Sequence, residues 1–431
     1  MNGLLISAGK DSTMIRKRHT ALYSMILPVI LSLWTFCSKP MTEEEIQQKA
    51  MAVHDRVFTI DTHADTPSRL IRGKFDLGVP HKSGSRQDGK VDLPRMKEGG
   101  LDGLFFAVFI GQGERTLEKY NQAKERADRI IDAMEKMAAQ YPELVELAYS
   151  ADDAHRIEKL GKRAAFLGME NGYPLGMDLS RVEHFYNRGI RYITLCHTRN
   201  NDLCDSSTDD PEWNGLSPFG ERVVREMNRL GMMVDVSHIS DSSFYDVLRV
   251  SRAPVIASHS SCRAICESPR NLSDGMLKAL KENGGVVQIC MLNSYLKTDT
   301  RRAQRSAALD SLRLKYGSYQ EIKDPEIQKR YREAYYALRE RFPGPRANVN
   351  DLVDHIDHVR AVIGIDHVGI GSDFDGGGGI DGCNDVSEFP NVTIELVRRG
   401  YSDGEIEKIW GGNVMRVFRE VSETARDLQE L

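Results

Sequence analysis

Val57-Phe58-Thr59-Ile60-Asp61-Thr62-His63-Ala64-Asp65 is an apolar run that breaks off into polar side chains. The run has the length and composition of a buried strand. Residues two apart in a strand share a face, so His63 and Asp65 emerge together at its end. An imidazole beside a carboxylate is a pair that Zn²⁺ accepts. The pair alone also permits a second reading, with Asp65 as a helix cap ahead of Pro67. The rest of the chain has to choose between them.

Working outward, strand-like runs recur at 57–62, 103–110, 164–169, 191–197, 232–238, 254–259, 285–291 and 367–373. Most are continuously apolar, as strands covered on both faces are. Helix-like segments separate them at 117–140, 180–188, 220–230, 241–250, 273–283 and 349–362, with Gly231 and Gly284 placed as C-terminal stops. A capped helix over 42–53 leads in, and a helical 403–431 is expected to pack outside. Eight β/α repeats with no second hydrophobic programme predict an α/β fold, a (β/α)8 TIM barrel of the metal-dependent hydrolase type. A doubly wound open sheet is the alternative. The link between the seventh and eighth strands is long: 297–348 reads as a helical insertion dense in Arg, Lys and Tyr, either a pocket lid or a solvated helical pair.

The bulk properties are those of a globular protein: 431 residues, 40% hydrophobic, 28% charged, net charge −5. No basic footprint suggests a nucleic-acid partner. The first residues differ. Arg16-Lys17-Arg18 precedes the uncharged, mostly apolar stretch 20–36, and Cys37 follows. That order is an export signal. Residues 1–37 are therefore set apart as a signal or lipoprotein-like segment, and 38–431 as a single catalytic domain. Cys37 stands where a lipid-modified cysteine would, which makes a membrane tether through the N-terminus one expectation. An uncleaved anchor and a cleavage site beyond Cys37 are the others. All three predict an exported protein, periplasmic or on the cell surface. Six further cysteines include no CxxC pair, which argues against a thiolate zinc site. A homodimer is left open.

In such a barrel the active site lies at the C-terminal ends of the strands. The first strand ends in His63 and Asp65, the third in Glu170, the fourth in His197, the fifth in His238, the sixth in His259, the eighth in Asp373 and Asp375. Each has a bland reading: a structural His, a capping Glu, an Asp-Gly turn. Together they would leave costly charges unpaired at one rim unless a cation joined them. Five metal-ligand candidates follow, His63, Asp65, Glu170, His238 and His259, more than one catalytic zinc needs. Two Zn²⁺ per chain, about 3.5–4 Å apart with Glu170 bridging, would hold a hydroxide ready for hydrolysis. His355 and His358, three apart on a charged segment, are expected outside the barrel and away from this site.

Asp61-Thr-His-Ala-Asp65, Gly168-Met-Glu-Asn-Gly172, Thr194-Leu-Cys-His-Thr-Arg-Asn-Asn201, Gly215-Leu-Ser-Pro-Phe-Gly220, Asp235-Val-Ser-His238, Ser258-His-Ser-Ser261 and Gly371-Ser-Asp-Phe-Asp-Gly376 resemble, in order, the motifs of the membrane (renal-type) dipeptidase family. The resemblance runs from about residue 55 to about residue 420. It implies a zinc-dependent peptidase cleaving dipeptides on an amidohydrolase-type barrel. His63 and Asp65 would bind one zinc, His238 and His259 the other, with Glu170 between. It also implies that His197 touches the scissile carbonyl oxygen, that Arg270 binds the substrate carboxylate, and that Asp373 stands near the substrate amine and the bridging water. His197 and Asp373 are thus the catalytic candidates; His197, Arg270 and Asp373 bind substrate. Another binuclear amidohydrolase, acting on a lactam, lactone or phosphoester, is the alternative. A binding barrel without turnover is a third. The cysteines do not reproduce a family disulfide set.

Overall fold

The computed structural model describes residues 40–430 except 74, 83–87, 318, 320 and 321. Residues 1–37, expected to be an export signal, and with them Cys37, lie outside the described residues. The chain divides into two units, Met1–Met41 and Thr42–Leu431. Among the described residues the second is built on nine parallel strands: β1 (Ile60–Ala64), β2 (Gly103–Phe109), β3 (Val145–Leu147), β4 (Arg163–Glu170), β5 (Ile190–Thr194), β6 (Met233–Asp235), β7 (Ile256–Ser260), β8 (Val286–Cys290) and β9 (Val368–Gly371). Eight run in the order β1-β2-β4-β5-β6-β7-β8-β9; β3, not foreseen, adds beside β4 off this path. The ring closes between β1 and β9, where the Asp373 N–H donates to the His63 carbonyl at 3.0 Å and the Asp65 N–H to the Phe374 carbonyl at 2.8 Å. The protein is a (β/α)8 barrel, and its seam lies among the candidate site residues.

Every expected run overlaps a strand, and the main departures have local causes. The first strand starts late because the Thr59 N–H is taken by the Asp102 carboxylate at 3.0 Å rather than by a neighbouring strand. The fifth and eighth stop early. His238 and Asp373 turn out of the ladder with φ of +73° and +58°. Helices occupy the expected segments. Thr42 forms a capping box, Ser240 and Ser273 cap the helices Asp241–Val250 and Asp274–Asn283, and Gly231 and Gly284 end their helices in the left-handed region. The 297–348 stretch holds two helices, Arg302–Tyr316 and Pro325–Arg341, around a small cluster of Leu312, Ile322 and Tyr331.

The barrel interior is filled from below. Ile60, Phe105, Phe166, Tyr192, Met233, Ile256 and Val286 meet Val414, Val417 and Phe418 in one cluster. The C-terminal helix Asn413–Gln429 therefore seals the barrel floor, where the sequence suggested only outside packing. Phe105 stacks on Phe166 at 4.7 Å between ring centroids, and Phe418 lies 6.0 Å from Phe166. Gly168 leaves the space that Tyr192 fills: a Cβ there would lie 2.1 Å from the Tyr192 ring. Above this layer the filling changes from rings to acids and imidazoles.

Candidate metal centre

Glu170 occupies the centre of the upper layer. Alternation along β4 puts Ala164, Phe166, Gly168 and Glu170 on one inward file, so the carboxylate rises directly above the aromatic floor. Its two oxygens face different groups. Oε2 lies 3.3 Å from His63 Nε2. Oε1 lies 3.0 Å from His238 Nε2, 3.7 Å from His259 Nε2 and 3.6 Å from His197 Nε2. Asp65 Oδ2 is 3.9 Å from His63 Nε2. Asp373 joins His63 and Asp65 within metal-ligating reach. All five expected ligands thus converge, with His197 and Asp373 beside them. The capping alternative for Asp65 fails, because the helix Pro67–Leu70 has Thr66 at its N-cap and no side-chain cap bond.

Two bulges aim the imidazoles. Strict alternation from the inward Ile60 and Ile256 would send His63 and His259 outward. The pairing of β1 with β2 shifts register between Asp61 and Ala64, and that of β7 with β8 between Ala257 and Ser260. An inserted residue of this kind re-aims a side chain. Strain collects here too: Asn171, His238, Asp373 and Asp375 are four of the five non-glycine residues with positive φ among the described residues.

The chemistry of the cluster fits a cation. His63 Nε2, Asp65 Oδ1 and His238 Nδ1 are buried with no hydrogen-bond partner in the protein. His238 Nε2 and His259 Nε2 point at each other across 2.9 Å. Burial and the Glu170 charge hold the Asp65 carboxyl well above its usual range. Burial likewise pushes Asp373 up to about 7, although His63 opposes it. His63 is pushed up to about 10: burial disfavours its charge, but Glu170, Asp65 and Asp373 outweigh it. Burial drives His238 and His259 the other way, towards the neutral imidazole that a metal binds. Three converging carboxylates with orphaned ligand atoms make a site short of positive charge.

An open cavity of about 330 Å³ lies over the cluster, lined among others by Arg69, Arg72, Phe109, His197, Arg270 and Tyr295. Arg270 is buried, donates to the His259 carbonyl at 3.1 Å, and lies over the Tyr295 ring at 5.2 Å. Among the described residues none from 297–348 lines the cavity; that wall is Leu292 and Tyr295, just ahead of the insertion. His355 lies on the outer helix Val349–Ile363, as expected, yet it is fully buried. Its Nδ1 accepts from the Cys262 N–H at 2.9 Å and its Nε2 meets the Leu296 carbonyl at 3.1 Å. His358 pairs with Asp274. The six cysteines from Cys196 to Cys383 are free and buried.

The residues that brace this site are not themselves metal-ligand candidates. Asp61 and Asp235 stand inside the motifs, two and three residues ahead of a histidine, and are buried acceptors on β1 and β6. Tyr192 sits within a strand-like run, yet its hydroxyl lies 2.8 Å from His63 Nδ1. That repeated Asp-before-His pattern was the available signal.

Comparison with known proteins agrees with the geometry. The profile of Membrane dipeptidase (Peptidase family M19) matches residues 47–431. Dipeptidase tcpJ of Claviceps purpurea is 36% identical over 373 residues, 85% of this chain and 77% of its own. The crystal structure of the probable dipeptidase PvdM from Pseudomonas aeruginosa superposes with a TM-score of 0.74 at 34% identity, covering 89% of this chain and all of that one. A metallopeptidase from Rhodobacter sphaeroides, solved with a phosphinate mimic of the dipeptide L-Ala-D-Ala, gives a TM-score of 0.68 at 25% identity, covering 85% of this chain and 99% of that one. A metal-shaped cluster at the rim of a (β/α)8 barrel and a profile match over nearly the whole barrel lead to one conclusion: the chain belongs to the membrane dipeptidase family, peptidase family M19, a family of metallopeptidases.

Proposed function

We propose that the protein is a dipeptidase that works with two zinc ions, one held by His63 and Asp65, the other by His238 and His259, with Glu170 between them. The observation that carries this reading is the division of the Glu170 carboxylate, one oxygen towards His63 and the other towards His238 and His259. When bound, the ions supply Lewis-acid activation of a water and of the scissile carbonyl. The remaining work belongs to side chains. Arg270 anchors the free carboxylate of the dipeptide through its planar fork. His197, a neutral imidazole because burial lowers its pKa, donates an N–H towards the charge that develops on the carbonyl oxygen. Asp373 takes the proton released by the attacking water and delivers it to the leaving amine as the C–N bond breaks. The dipeptide mimic bound by the Rhodobacter sphaeroides relative supports an L,D-dipeptide among the substrates.

Metal analysis of purified protein should give close to two zinc per chain. A panel of L,L- and L,D-dipeptides should be hydrolysed, and a chelator should abolish turnover. One zinc or none, or turnover that survives verified metal removal, would sink the binuclear reading. Export through residues 1–37 belongs to the same proposal. Fractionation with mass analysis of the mature N-terminus tests it, and a cytoplasmic protein with an intact start would overturn it.

A further inference from the structure

Asp61 and Asp235 carry two copies of one brace. In each, a buried aspartate accepts from the backbone N–H two residues on: His63 N to Asp61 at 3.2 Å, Ser237 N to Asp235 at 3.0 Å. In each it also accepts the backbone N–H and the hydroxyl of a serine immediately ahead of a site residue, Ser258 within β7 and Ser372 just past the end of β9. Ser372 N donates to Asp61 at 2.8 Å and its Oγ at 2.5 Å. Ser258 N donates to Asp235 at 2.8 Å and its Oγ at 2.6 Å. The copies differ in what else the hydroxyl meets. Ser372 Oγ accepts the Phe374 N–H at 3.0 Å and is 3.3 Å from the His63 carbonyl. Ser258 Oγ lies 2.8 Å from His259 Nδ1 and 3.4 Å from Ser237 Oγ.

That difference has a consequence for proton positions. A serine hydroxyl has one proton. Asp235 already receives two backbone N–H groups and the Thr194 hydroxyl, so it is an acceptor throughout. The Ser258 proton is therefore committed to Asp235, and towards His259 the oxygen can only accept. His259 must then carry its proton on Nδ1, which leaves the Nε2 lone pair facing Glu170 and His238. We propose that Asp235 and Ser258 are positioning residues, a carboxylate–hydroxyl relay that sets the tautomer of His259 and so its strength as a zinc ligand. His238, whose Nδ1 is buried without a partner, has no such support, so His259 is the anchored ligand of that pair. This inference rests on the two-zinc reading for its metal arm.

The test uses full-length metal-free protein titrated with zinc against a chromophoric chelator, with long-range nitrogen–proton NMR of the histidines. Wild type should show His259 as the Nδ1–H tautomer. Ser258→Ala should weaken one of two zinc sites about 10–100-fold, leave the other unchanged, and lose the fixed tautomer. Ser258→Thr, which keeps the hydroxyl, should restore both. Asp235→Asn should weaken that site more than Ser258→Ala. The new amide donates to Ser258 Oγ, turns the hydroxyl proton onto His259 Nδ1, and imposes the wrong tautomer. Wild-type zinc affinity and an unchanged tautomer in Ser258→Ala, or an Nδ1–H imidazole retained in Asp235→Asn, would overturn the relay. Wild type binding fewer than two zinc ions would instead count against the functional reading, with the NMR arm still judging the relay.

Discussion

Arg270 shows how much one side chain adds to a site. Its fork is fixed by the His259 carbonyl, the Ser260 hydroxyl at 3.4 Å and the Tyr295 ring, while its Nε is buried with no partner in the protein. A buried guanidinium with an open edge at a metal-shaped cavity suits a carboxylate. Arg270→Met should lower kcat/KM for free dipeptides at least about a hundredfold, roughly 3 kcal/mol, and barely change it for C-terminally amidated analogues. Equal losses for both would remove the proposed role. Gly376 marks the limit of reading residues along a chain. In sequence, the glycines after Asp375 look like a turn. In space, a Cβ on Gly376 would lie 2.1 Å from Asp65 Oδ2 and 2.2 Å from Asp373 Oδ1. The glycine is there because two carboxylates pass over the backbone, and no local pattern reports that.

Among the elements, strands and helices were legible because their periods differ, and 117–140 and 241–250 coincide with helices Leu117–Gln140 and Asp241–Val250. The bulges in β1 and β7 were not legible, since they are properties of a strand pair. The outer helix Val349–Ile363 adds a structural role to a residue outside the site. His355, outside the barrel and away from the site as expected, ties the loop after β7 to the segment ending at Leu296. Burial lowers its pKa from 6.5 to about 4. The unfolded chain therefore binds the extra proton between those values, and stability falls as pH drops from about 6.5 towards 4, by roughly 3 kcal/mol at most. His355→Ala should cost about 2–4 kcal/mol at pH 7 by leaving two backbone groups unpaired and a cavity. The variant should also lose part of that acid sensitivity. Denaturant titrations at pH 7 and pH 5 read both effects, and a pH dependence identical to wild type would exclude His355 as its source.

For the molecule as a whole, the barrel closes where the site lies. The β1–β9 seam is made by backbone groups of His63, Asp65 and Asp373, and Glu170 joins opposite sides of the ring. Ions that neutralise this cluster should hold the fold together as well as serve the reaction. Free zinc at a thousand times its dissociation constant would add about 4 kcal/mol. Stripping it with a chelator should lower Tm by several degrees, reversed by added zinc; an unchanged Tm after verified removal would show that the ring closes without it. Among the described residues no helix is long and apolar enough to cross a membrane. The barrel, its strand order and the identities of the converging acids and imidazoles were readable along the chain. Strands covered on both faces leave unbroken apolar runs, and the C-terminal ends of parallel strands share one rim. Which way His63 and His259 point, which oxygen of Glu170 meets which imidazole, and which hydroxyl lies against which imidazole were settled by register shifts between neighbouring strands and by contacts between residues on different strands. Such contacts leave no periodic trace in a linear sequence.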